Sequence, residues 1–139
     1  MQASTPPMEQ ELPSAITNGV YITAESKFIP EQSSDKHATF VFAYQISIEN
    51  QSSDAIQLLR RHWDIVDTYI DKKTVDGDGV IGKQPVLGPG ESHSYASGAV
   101  IKTPMGKMSG HYIMLNLDTN EEFEVRIPEF SLQMPHLLN

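Results

Sequence analysis

From Gly19 onward, apolar and polar residues alternate with period two in short segments separated by turn residues, and no window sustains a helical period. Val20, Ile22 and Ala24 alternate with Tyr21, Thr23 and Glu25, as in a strand with one face buried. The run FVFAYQISIEN is the clearest case: Phe40, Phe42, Tyr44, Ile46 and Ile48 share one face, and Ala43, Gln45, Ser47 and Glu49 the other. In AIQLLRRHWDIVD, Ile56 and Leu58 are in one phase, whereas Leu59, Arg61, Trp63 and Ile65 are in the opposite phase. A bulge near Leu58 and Leu59 reconciles them. The chain then reads as loop through Lys73, with Thr74 and Val75 leading into a glycine-rich stretch. LGPGE predicts a tight turn before a strand in ESHSYASGAVI, and TPMG turns the chain again. Two further strands follow, with Met108, Gly110, Tyr112 and Met114 on one face of the first and Phe123, Val125 and Ile127 on one face of the second. Pro128 is expected to break the last pairing before a short strand over 130–132.

Seven or eight short strands with almost no helix predict an all-β protein, an antiparallel β-sandwich of the fibronectin type III or immunoglobulin kind. Trp63 suits the central core position of such domains, and the absence of cysteine favours the fibronectin-like version. Phe42, Tyr44, Trp63, Tyr112 and Phe123 are expected among the buried aromatics. Tyr21, Ile113 and Leu115 fall on faces the core does not need, so a homo-oligomer through an edge or an apolar patch is expected. Residues 1–18 read as a flexible polar tail and 19–139 as the folded domain.

Composition narrows the function classes. A chain of 139 residues is one domain, large enough for a core without disulfide or metal staples. The formal net charge of −8 argues against sequence-independent binding to nucleic acid or anionic lipid. The first residues lack the basic start and apolar run of a signal peptide, and nothing approaches the roughly 18 apolar residues of a membrane-spanning helix. The expectation is a cytoplasmic protein without membrane insertion and without a bound cofactor.

The stretch GDGVIGKQP carries two nucleotide fingerprints at once. Gly77, Gly79 and Gly82 spell GxGxxG, and Gly77, Gly82 and Lys83 spell most of a phosphate-binding loop. Both chemistries need a helix N-terminus facing the phosphates. Here Pro85 and then Gly88-Pro89-Gly90 leave no room for a helix, Gln84 stands where the phosphate loop needs Ser or Thr, and Lys102 stands where the dinucleotide motif needs an acid. The glycines are therefore expected to serve backbone geometry first. A small phosphate-bearing ligand remains open if Lys83 and Arg60 approach the loop and its N–H groups form a nest.

The blocks RRHWDI, GKQPVLGPGE, SYASGAVIKTPMGKMSGHYIM and FEVRIPEF, in this order and spacing, resemble the ApaG family of small bacterial proteins over about residues 19–139. The resemblance implies a fibronectin type III-like sandwich, frequent homo-oligomers, a customary link to cobalt and magnesium efflux, and no established catalytic residues. Related domains in eukaryotic F-box proteins and a polymerase-interacting protein imply partner binding. The family's glycine motif maps onto Gly77, Gly79 and Gly82; Lys83 departs from the glutamate its relatives commonly carry.

Other candidate chemistry is thin. Asp76 and Asp78 lie between glycines, but the next ligand positions of a calcium loop fall on Val80 and Leu87. Asp64, Asp67 and Asp71 could add to a weak magnesium site if the loops converge. His37, His62, His93, His111 and His136 are far apart in sequence, with no spacing that sets two imidazoles on one face, so no transition-metal site is expected. Ser33 to Lys36 spells SxxK, and Gly90 to Ser94 nearly spells a hydrolase elbow but leads into a strand. Arg60, Arg61 and His62 are the more informative polar group. Arg61 shares a strand face with Trp63 and is expected either in a rim salt bridge or in an anion site. These observations favour a non-catalytic module that binds a protein partner or a ligand. The alternatives are a binder of a pyrophosphate-bearing nucleotide, small anion or divalent cation, and a phosphate-handling enzyme.

Overall fold

The computed structural model describes residues 11–67 and 72–135. Nine strands form in chain order: β1 (Ser14–Thr17), β2 (Val20–Phe28), β3 (Phe40–Asn50), β4 (Ile56–Asp67), β5 (Lys72–Asp78), β6 (Val86–Leu87), β7 (Ser92–Ile101), β8 (Met105–Asn116) and β9 (Glu121–Gln133). The described residues hold a 3-10 turn at Pro30–Gln32 and no α-helix. One sheet has the order β1-β2-β3-β7; the other runs β5-β4-β8-β9, with β6 pairing β4 beyond the end of β5. Every pairing is antiparallel. The two sheets face one another as the expected all-β sandwich.

Alternation decides which face is buried. Phe40, Phe42, Tyr44, Ile46 and Ile48 of β3 all lie in the core, opposite Trp63 and Ile65 of β4, Met108, Tyr112 and Met114 of β8, and Val125, Ile127 and Phe130 of β9. Trp63 meets Tyr44 edge-on at 5.3 Å and Phe130 at 5.9 Å, so the aromatic centre bridges both sheets. Four of the five expected aromatics are buried. Phe123 is half-buried at the periphery, and Phe130 takes the deeper position.

Four local expectations are corrected. Residues 14–17, expected within the tail, pair with Val20 to Thr23, closing a two-residue hairpin over Asn18 and Gly19, both at positive φ. Lys72 and Lys73, expected as loop, instead begin an edge strand on β4 that runs through Gly77 to Asp78. Leu87, expected in the LGPGE turn, makes with Val86 a short rung on Ile56 and Gln57. Pro128 does not end the last strand. Pairing of β8 with β9 slips between Met108 and Gly110, so Pro128 sits in a bulge and β9 continues to Gln133. The bulge expected at Leu58 and Leu59 is present, as a register shift between Leu58 and Arg60.

Candidate functional site

The bulge on β4 and the glycine loop form one unit. Skipping Leu59 leaves its carbonyl out of the β8 ladder, and that oxygen accepts the Gly79 N–H at 2.8 Å and the Gln84 amide at 2.9 Å. Val80 and Lys83 then exchange backbone hydrogen bonds at 2.7 and 3.0 Å around Ile81 (φ 48°) and Gly82 (φ 73°), a type I′ turn. Val80 is buried and plugs the core beneath the turn, whereas Ile81 is 60% exposed. No helix follows Lys83; the chain passes into β6. The N–H groups of Gly79, Val80 and Lys83 are spent on protein carbonyls.

Each glycine of the motif has its own structural reason. Gly77 has no positive φ, but a Cβ there would meet the Arg61 guanidinium at 2.7–2.8 Å. Gly79 combines φ +61° with a Cβ position 2.1 Å from the Lys83 carbonyl oxygen. Gly82 is at φ +73° with open space around it.

The structure separates the neighbouring polar residues. Arg60 forms a half-exposed ion pair with Glu122 at 2.9 Å. Arg61 makes no such pair among the described residues: it donates from Nη1 to the carbonyls of Asp78 (2.9 Å) and Gly79 (2.8 Å), clamping the loop. His62 points to the outer face, with Nδ1 2.7 Å from Asp76 and Nε2 3.1 Å from Asp64; Lys72 lies 3.7 Å from the same Asp64 oxygen. The hydrogen bond to Asp76 is the largest cause of a raised His62 pKa, reinforced by Asp64 and opposed by burial.

The sequence spacing of the histidines misled, because register, not spacing, sets cross-strand neighbours. His62 lies opposite His111, and their rings stack at 4.9 Å. The row Asp76–His62–His111–Arg126 therefore crosses four strands. Arg60, Arg61, His62, Asp76, Asp78, His111 and Ile113 help line a shallow recess of about 430 Å³. Lys83 is not among its lining residues. Asp76 is occupied by His62, Asp71 and His136 lie outside the described residues, and no group of three or more His, Asp or Glu side chains among the described residues could hold a metal ion. Ser33 of the SxxK run accepts the Val41 N–H and donates to the Ile29 carbonyl, as a loop-ordering residue does.

A second, more enclosed recess of about 210 Å³ opens on the core side of the glycine loop. Tyr44, Arg61, Trp63, Val80, Ile81, Tyr95 and Ser97 contribute to it. The Tyr95 and Tyr112 hydroxyls share a short hydrogen bond, and Tyr44 and Ser97 line the same recess. Burial pushes all three phenols above their ordinary pKa, so they remain protonated hydrogen-bonding groups. Sequence reasoning singled out neither Tyr95 nor Ser97 as site residues. Period two gives the face of each, but their meeting with Arg61 joins two sheets.

With this geometry in place, comparison with known proteins is informative. An ApaG domain profile matches residues 30–116. Protein ApaG of Methylobacterium sp. (strain 4-46) is 48% identical over 123 residues, covering 88% of this chain and 94% of its own. Protein ApaG of Rhodospirillum centenum is 42% identical with the same coverage. A crystal structure of an ApaA protein from Bordetella pertussis superposes with a TM-score of 0.81 at 38% identity, over 90% of this chain and 98% of that one. The profile, the relatives and the superposition agree: the chain belongs to the ApaG family.

Proposed function

We propose that this ApaG protein is a non-catalytic interaction module whose contact surface includes the glycine loop. Ile81 carries the proposal. A β-branched residue in the left-handed region is strained, and here the strained side chain is also held out into solvent. Fold stability would favour Asn or Gly in a type I′ turn. An exposed apolar residue standing there, despite the strain, supports a role in contact. The polar groups nearby support the same reading, because His62, Asp76, Asp64, Arg60 and Glu122 pair with one another. On this reading, the connection to cobalt and magnesium implied by the family resemblance runs through the partner.

A thermal-shift and calorimetry panel of pyrophosphate, nucleotides, magnesium and cobalt tests the proposal, since a ligand that prefers the folded state raises its apparent stability. No shift is expected from any of them at millimolar concentration. Stoichiometric binding of pyrophosphate that is lost in a folded Lys83→Glu variant would replace the module with an anion-binding loop. A cobalt or magnesium shift would place the metal on this chain.

A further inference from the structure

The four lateral edges of the sandwich are not equally protected. Exposed strand edges invite pairing with other chains, and proteins blunt them with charge, proline, bulges or brevity. β1 is four residues long. β5 carries Lys72, Lys73, Asp76 and Asp78. β9 carries Glu121, Glu122, Glu124, Arg126 and Glu129, with Pro128 in its bulge. β7 has none of these devices. Its ten residues, SHSYASGAVI, contain no Asp, Glu, Lys, Arg or Pro, and its register with β3 runs unbroken from Ser92 to Ile101. On its other side no described strand pairs with it. Its outward residues Ser92, Ser94, Ala96, Gly98 and Val100 are all exposed.

That bare edge borders the recess to which Tyr44, Arg61, Asp78, Ile81, Tyr95 and Ser97 contribute. In a strand added to β7, alternate side chains would point toward the sandwich, and one opposite the Tyr95 to Ser97 region would reach the recess. Arg61 determines what suits it. Its guanidinium is half-buried, donates only to two backbone carbonyls, and forms no ion pair with a carboxylate among the described residues. Asp78 also lines the recess but gives Arg61 its carbonyl, its exposed carboxylate lying beyond ion-pair distance, so a side-chain carboxylate inserted beside Tyr44, Tyr95 and Ser97 complements the guanidinium.

Resting on the interaction-module reading, we infer that β7 is a strand-addition site for an extended segment of a partner protein that places one Asp or Glu side chain in the Arg61 recess. Main-chain bonds to the β7 edge supply affinity, the carboxylate supplies specificity, and Ile81 packs over the inserted segment.

The experiment selects a random dodecapeptide library on phage against the full chain, then synthesises the enriched peptides with their acidic residue intact and with it changed to the amide. The expected peptides share one acidic residue within an alternating β-branched or apolar pattern. Binding should protect Ser92–Ile101 amides from hydrogen exchange and weaken about tenfold on the Glu→Gln or Asp→Asn change. It should weaken similarly in Ala96→Lys, which charges the edge, and in Ile81→Asn, which suits the turn and should stay folded. The inference is overturned by an absence of enriched peptides, by amide twins that bind equally, by binding unchanged in the two variants, or by protection confined to other strands. Protection of β7 that rises with chain concentration alone would assign the edge to a second copy and also overturn it. These outcomes are separate from the ligand panel. A native partner that protects a different surface keeps the module and removes β7, whereas pyrophosphate binding removes the module whatever the peptides do.

Discussion

At Gly79 the backbone angle and the close approach of the Lys83 carbonyl act together, so Gly79→Ala should lower stability by more than about 1 kcal/mol. Gly82→Ala faces only the left-handed strain, since its Cβ would enter open space, and should cost about 1–2 kcal/mol. Ile81→Asn should stabilise, because Asn tolerates the angle that Ile does not. Denaturant midpoints of the three variants check the ranking, and a Gly79 variant as stable as wild type would sink the loop's geometric account. His62 yields a prediction about pH. Its folded pKa is raised above 6.5, so its contribution to stability is full below about pH 6.5 and is lost as pH rises through the folded value. Asp76→Asn removes the leading cause; an NMR titration should show the His62 midpoint falling toward 6.5, and an unmoved midpoint would mean another group sets it.

Among the elements, β3 and β9 place the most residues in the core, and β4 supplies its tryptophan. Trp63→Ala should cost roughly 3–5 kcal/mol because the ring is 2% exposed between Tyr44 and Phe130, and a fully stable variant would contradict its central place. The legibility of elements followed their burial. β3 was readable because every second residue is apolar, and the β4 bulge because the phase of apolar residues inverts at Leu58 and Leu59. β5 was obscured because it is an edge strand of lysines, acids and glycine, with Val75 its one clearly core-facing apolar residue. The β1 signal lay in plain view in Asn18-Gly19, a strong hairpin dipeptide flanked by Ile16 and Val20. Its brevity and the exposure of Ile16 gave no alternation to confirm it.

Over the whole molecule, the sandwich is closed differently on its two sides. On one, β9 bonds across to the other sheet: the Arg126 N–H is donated to Thr17 Oγ1, and Ser26 Oγ to the Ser131 carbonyl. On the other, Val80 beneath its turn supplies the plug, leaving β7 bare. Deleting residues 1–17 removes β1 and uncovers β2, a nine-residue edge with Val20, Ile22 and Ala24 in the core. The truncated chain should have a lower denaturant midpoint and associate with rising concentration in light scattering. An equally stable monomer would show that β1 is dispensable.

The alternation of side chains by itself determined the fold class, the buried face of each long strand and the aromatic centre around Trp63, because burial on a pleated sheet is written locally with period two. The broken context of the glycine motif was equally local: prolines after Lys83 forbid a helix whatever the rest of the chain does. The tertiary structure alone decided what meets what. It stacked His62 on His111, set Arg61 over Gly77 among tyrosines from both sheets, and left β7 as the undefended edge. Those relations depend on strand order and register, which join residues distant in sequence through hydrogen-bond ladders, and no local pattern of residues encodes them.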